Sequence, residues 1–263
     1  MSLKDSLIKT YSYDVKVKEY SNGLIEFVKY SRPIYTKVKT DTEPQKRGKT
    51  SQKKTQATEY RQDSLNRSYG LLMDYAIQNA NNFKTFITLT FKDNITDLDY
   101  ANKQFNYAMR NIKRIYPTFM YLGVPEFQKR GAVHYHIMTN LKITDTKVIQ
   151  KQKNKKDMYD IKQWVHGYSS VFDLSLTDDK FSVAAYLTKY FYKDISTRLI
   201  GRKKILKSQN LDKPNEKHFR SNSNELQNYQ NYLTKYKTQT KKKYITATNS
   251  YAPDLAIYHF NDK

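Results

Sequence analysis

The chain has 263 residues, with 47 Lys and Arg against 25 Asp and Glu, for a formal net charge of +22. It contains no cysteine, which excludes disulfides, thiolate-bound zinc and cysteine nucleophiles together. So basic a balance favours a polyanionic partner, nucleic acid before a membrane surface, and the 24 tyrosines suit stacking on bases.

At 38% hydrophobic residues the chain supports one core with solvated extensions. The opening MSLKDSLIKTYSYDVKV lacks the apolar centre of a secretory signal and no later run approaches the length of a membrane span, so a cytoplasmic protein is expected.

From Tyr11 to Tyr30 two alternating runs, YSYDVKVKEY and LIEFVKY, flank Ser21-Asn22-Gly23, which predicts a β-hairpin. It would form either an extra sheet edge or a small N-terminal lobe. Thr36 to Lys54 is polar and basic, a linker or an arm that tracks DNA phosphates. Ala57 to Asn81 carries apolar residues at loose helical spacing and predicts one helix, interrupted in propensity by Gly70. Phe83 to Phe91, FKTFITLTF, reads as a central strand. Asp97 to Tyr116 predicts a helix whose buried stripe is Leu98, Ala101, Phe105, Met109, Ile112 and Ile115, ended by Pro117.

The stretch Phe119 to Leu141, FMYLGVPEFQKRGAVHYHIMTNL, reads as a second hairpin around Lys129-Arg130-Gly131. A three-residue loop closed by Gly131 sets Gln128 opposite Ala132 and Glu126 opposite His134. Alternation then puts His136 on the same face. A slip of one residue would turn Glu126 away. Two imidazoles and a carboxylate so grouped suit a divalent cation with coordination positions left open.

Lys142 to Lys162 is polar and Lys-rich, a surface helix or loop, and Tyr168 to Leu174 reads as a fourth strand. Capping residues Thr177-Asp178-Asp179 precede a predicted helix over Phe181 to Lys193. On it Tyr186 and Tyr190 share one side, each with a lysine three residues on, Lys189 and Lys193. A phenol near its ordinary pKa of ~10 is a weak nucleophile, so attack on a phosphate needs a nearby cation or metal. The same YLTKY recurs at Tyr232 to Tyr236 as a rival site. Beyond Ile200 periodicity fades into a basic tail, with Leu255 to Phe260 a candidate edge strand.

TFITLTF, then Glu126 ahead of His134-Tyr135-His136, then Tyr186 with Lys189 and Tyr190 with Lys193, together resemble the motifs of the HUH endonuclease superfamily. The resemblance covers Lys84 to Asp194 and is nearest to rolling-circle replication initiators of small single-stranded DNA phages and plasmids. It implies an α+β fold, an RRM-like antiparallel sheet with helices on one face, bearing the N-terminal hairpin and a basic C-terminal extension. The implied domains are 1–56, hairpin and linker; 57–200, nicking and joining; and 201–263, extension. It further implies Mg²⁺ or Mn²⁺ held by Glu126, His134 and His136, and a 5′-phosphotyrosine link to single-stranded or origin DNA in a bacterial host cytoplasm. Tyr186 is favoured as the first nucleophile. No Walker A sequence occurs, so a host helicase is expected to unwind and a host polymerase to extend. A transposase or mobilisation relaxase uses the same chemistry, and a non-catalytic binder of single-stranded nucleic acid is the alternative outside that class.

Overall fold

The computed structural model describes residues 10–37, 62–151, 157–174, 186–188, 190–191, 199, 202–235, 244–245 and 254–259. They fall into two units, one drawn from residues 1–54 with 214–263 and the other from 55–213. The architecture is α+β, and every described strand pairing is antiparallel. Among the described residues no helix is long and apolar enough to cross a membrane.

In the first unit, β1 (Thr10–Glu19) and β2 (Leu24–Lys37) form the hairpin that Asn22-Gly23 predicts. Gly23 takes a φ of 80°, a region open to glycine at little cost, and its amide closes the turn on the Tyr20 carbonyl. With β10 (Asn215–Phe219), β11 (Tyr244–Ile245) and β12 (Asp254–His259), they make a sheet in the order β10-β1-β2-β12-β11. A helix, Asn224–Lys235, lays Leu226 and Tyr229 on Val15, Val17 and Phe27. The reading of residues beyond Ile200 as a tail of little periodicity is thus corrected. That segment supplies strands and a helix whose short apolar signals make sense only against β1 and β2.

The second unit is built on seven strands: β3 (Thr85–Phe91), β4 (Tyr121–Phe127), β5 (Val133–Thr139), β6 (Lys147–Lys151), β7 (Asp157–Asp160), β8 (Gly167–Asp173) and β9 (Leu206–Lys207). They form one sheet in the order β6-β7-β8-β3-β5-β4-β9. Helix α1 (Gln62–Gln78) runs through Gly70 unbroken, burying Leu65, Leu72, Tyr75 and Ala76. Helix α2 (Leu98–Ile115) begins at Asp97, whose carboxylate accepts from the amides of Asp99 and Tyr100. It packs Leu98, Ala101, Phe105, Met109 and Ile112 onto the face formed by Ile87, Leu89, Val133, Tyr135 and Ile137.

Two expectations need correction here. Ile115 is 58% exposed and is no part of the stripe; Tyr116, whose amide closes the last turn on Ile112, packs against the core in its place. Between Lys142 and Lys162 the chain forms a 3₁₀ turn, Ile143–Asp145, and then the β6–β7 hairpin, where a surface helix or loop is expected from the Lys-rich sequence.

Strand β8 comes so near β3 that a Cβ on Gly167 would lie 2.2 Å from the Thr90 carbonyl oxygen and 2.4 Å from the Lys92 amide. Both obstacles are backbone and cannot swing aside. Gly167→Ala is therefore expected to cost about 1–3 kcal/mol or more in thermal denaturation. An unchanged midpoint would mean that the two strands part more easily than this packing implies.

Candidate functional site

The three-residue loop places the site. Gly131 has a φ of 88°, its amide bonds the Gln128 carbonyl at 2.7 Å, and Gln128 N–H donates to the Ala132 carbonyl at 2.8 Å. The register that follows sets Glu126 opposite His134 and Val124 opposite His136, as the sequence predicts. On the other side of β5, Thr90 faces His134 and Thr88 faces His136. Gln128 and Ala132 form a hydrogen-bonded pair, so alternation makes Glu126–His134 and Val124–His136 hydrogen-bonded pairs too. The Thr–His pairs across β3–β5 are then the closely spaced, non-bonded kind, where side chains approach most nearly. Accordingly Thr88 Oγ1 lies 3.2 Å from His136 Nδ1, and Thr90 Oγ1 lies 3.4 Å from His134 Nδ1. The Gln128 amide is also 3.3 Å from His134 Nδ1.

Glu126, His134 and His136 are all buried. Although Glu126 stands opposite His134, its carboxylate reaches along the sheet to His136, with Oε2 2.5 Å from Nε2. A proton must bridge a contact so short. Tyr135, between the histidines, points to the opposite face, where its hydroxyl donates to Asn102 and its ring packs 4.6 Å from Phe105. Burial pushes its phenol well above the ordinary value. It is a core residue, with no place in the chemistry.

Over this face lies the tyrosine segment, helical at 186–188 and 190–191. The Tyr190 ring stacks on His136, with centroids 3.6 Å apart and planes 19° from parallel. Tyr186 and Tyr190 hydroxyls are 2.8 Å apart. Phe86 seats both phenols, edge-on to Tyr186 at 5.1 Å and tilted to Tyr190 at 6.0 Å. Burial first, then the Tyr186 hydroxyl and the charge of Glu126, push the Tyr190 phenol well above its usual 10. Tyr186 is 47% exposed.

The structure therefore brings together five of the seven residues singled out from sequence: Glu126, His134, His136, Tyr186 and Tyr190. Lys189 and Lys193 lie outside the described residues. Of the rival pair, Tyr232 falls within the Asn224–Lys235 helix and Tyr236 lies outside the described residues. Sequence reasoning did not single out Phe86, Thr88, Thr90 and Gln128 as site residues. The signal for three of them was the matching period of F-x-T-x-T in β3 and H-x-H in β5, usable only once the β3–β5 register is known.

Among the described residues no three His, Asp or Glu side chains converge to hold a metal ion as they stand. The reason is the Glu126–His136 contact itself, since 2.5 Å leaves no room for two metal bonds of about 2 Å each at a normal angle. The donor set still fits a divalent cation. Each imidazole has its Nδ1 engaged by a neighbouring side chain, the arrangement that orients a ligating histidine through its other nitrogen. Cation and bridging proton compete for the same atoms.

Two imidazoles and a carboxylate on an antiparallel sheet, roofed by paired phenols on a strongly basic chain, are parts suited to phosphoryl transfer on nucleic acid. Residues 84–195 match the family model for replication-associated proteins of the ORF2 type. The match spans under half of the chain, includes every residue of the site, and supports a role in DNA replication. No curated protein and no solved structure matches.

Proposed function

We propose that the protein initiates rolling-circle DNA replication by metal-dependent, site-specific nicking and rejoining of one strand at the origin. The observation that carries this reading is the stacking of Tyr190 on His136 with the Tyr186 hydroxyl 2.8 Å from that of Tyr190. Side chains some fifty residues apart in sequence meet at one place, and each is a group the chemistry requires.

Glu126, His134 and His136 would hold Mg²⁺ or Mn²⁺, which polarises the scissile phosphate and offsets charge on its oxygens. The phenol oxygen of Tyr186 forms a bond to phosphorus while the bond to the 3′ oxygen breaks. A 5′-phosphotyrosine link and a free 3′-OH result, the phenolic proton being lost and one gained by the departing oxygen. Half exposed, Tyr186 is open to a strand laid across the sheet, which favours it for the first attack. Tyr190 serves the second transfer, releasing a rejoined circle after synthesis. In the sequence Lys189 and Lys193 each follow a tyrosine by three residues and are assigned to stabilising the extra negative charge of the transition state. A host polymerase extends the 3′-OH, and a host helicase supplies unwinding.

The test is incubation of the full chain with single-stranded circular DNA and Mn²⁺, followed by denaturing gel electrophoresis. A protein band shifted by attached DNA, absent with chelator, is expected. If DNA is bound and never attached or cut, the protein is a non-catalytic binder.

A further inference from the structure

On the site face, the register runs from β8 through β3 to β5 in rows: Tyr168, Thr90, His134; then Ser170, Thr88, His136. Tyr168 thus stands two strands, roughly 10 Å, from His134. Its ring is 67% exposed, and nothing in the chemistry above uses it. Beside it opens a cleft of about 410 Å³, lined by Lys92, Asp93, Tyr100, Val165, His166 and Tyr168 among others. That volume lies within the range of pockets for small ligands, about 300–1,000 Å³.

The cleft is built rigidly. Lys92 N–H donates to the His166 carbonyl at 2.9 Å, and Trp164 Nε1 donates to the Thr90 carbonyl at 3.0 Å. Phe91 meets Trp164 edge-on at 4.9 Å, and Gly167 admits no side chain. Within this frame the His166 Nε2 is buried with no hydrogen-bond partner among the described residues. A buried polar atom left unmatched is costly, and in a native fold it points to a partner from outside. Val165, 73% exposed, and Tyr100, 45% exposed, add apolar surface at the rim.

We propose that this cleft receives one unstacked nucleobase of the strand being cut, next to the nicked phosphodiester. Tyr168 offers the base a stacking face, His166 Nε2 a hydrogen bond to its edge, and the Lys92 ammonium a counter-charge for the adjoining phosphate. The cleft would hold the strand in register over His134 and His136 and add a base preference that phosphate contacts cannot supply. The identity of the strand rests on the nicking reading. The base-binding itself does not.

The test compares binding of the full chain, in chelator, to two single-stranded probes of roughly 20 nucleotides, longer than the ~4–16 that such grooves cover. One is a mixed-sequence oligonucleotide and the other its abasic analogue with the same phosphates. Tyr168→Ala is expected to weaken binding of the first about 5- to 150-fold and to leave the second unchanged, while Tyr168→Phe keeps the affinity. The ring is exposed, so the fold survives the change. Equal losses on both probes, or no loss on either, would overturn the proposal. Because no cutting takes place in chelator, either result stands apart from the covalent-band test of nicking.

Discussion

With phenylalanine at both Tyr186 and Tyr190, the protein is expected to form no covalent adduct with DNA, a loss of at least about 10³-fold against the unaltered chain. The rings stay. The ring at position 190 would still stack on His136 and the ring at position 186 would still meet Phe86, so the melting midpoint should fall by no more than the hydroxyl–hydroxyl bond is worth, about 1 kcal/mol. What disappears is the only oxygen on each ring able to attack phosphorus. The single variants separate the two roles. Tyr186→Phe is expected to remove the first adduct, because the remaining phenol is the one packed beneath it on the histidine. Tyr190→Phe is expected to leave the first adduct and to block release of a closed circle. Adduct persisting in the double variant would move the chemistry to Tyr232 or Tyr236 and sink this assignment.

Which parts of this arrangement were legible in the sequence follows from how local their causes are. The Phe119–Leu141 hairpin was legible to the residue, since a single glycine in the left-handed region fixes the loop and the loop fixes every facing pair. Most of α2 was legible for the same reason, its stripe and its Asp97 cap being readable within twenty residues. The error at Ile115 came at a terminus, where periodicity continues on paper after the helix has been closed by Tyr116. The β6–β7 hairpin escaped notice because lysines and glutamines give a strand no alternation to detect. Longer-range pairings were out of reach altogether. Val15 meets Phe219 across some two hundred residues, and neither segment announces the other. The approach of the tyrosine segment to the sheet is of this kind too. Spacing put Tyr186 and Tyr190 on one side of a helix, but only the motif resemblance suggested which surface that side would meet.

His136 is where the greatest number of contacts in the site converge, and its replacement gives the sharpest division between the rival readings. His136→Ala is expected to abolish metal-dependent cutting, by about 10³-fold or more, while affinity for single-stranded DNA changes little. Binding draws mainly on phosphate contacts spread over a chain of net charge +22, and one buried imidazole contributes almost nothing to that. The substitution leaves the Glu126 carboxylate buried without its 2.5 Å partner, so a stability loss of about 1–3 kcal/mol accompanies it. Activity alone therefore does not isolate the metal. The decisive comparison is thermal: a ligand that binds only the folded state at a hundred times its dissociation constant adds about 2.7 kcal/mol. Mn²⁺ should raise the melting midpoint of the unaltered chain and leave that of His136→Ala where it was. The rise should shrink as the pH is lowered, because the cation must displace the proton shared by His136 and Glu126. If Mn²⁺ moves neither midpoint, the two side chains are a structural pair bridged by a proton, and the tyrosines above them close a hydrophobic lid over it.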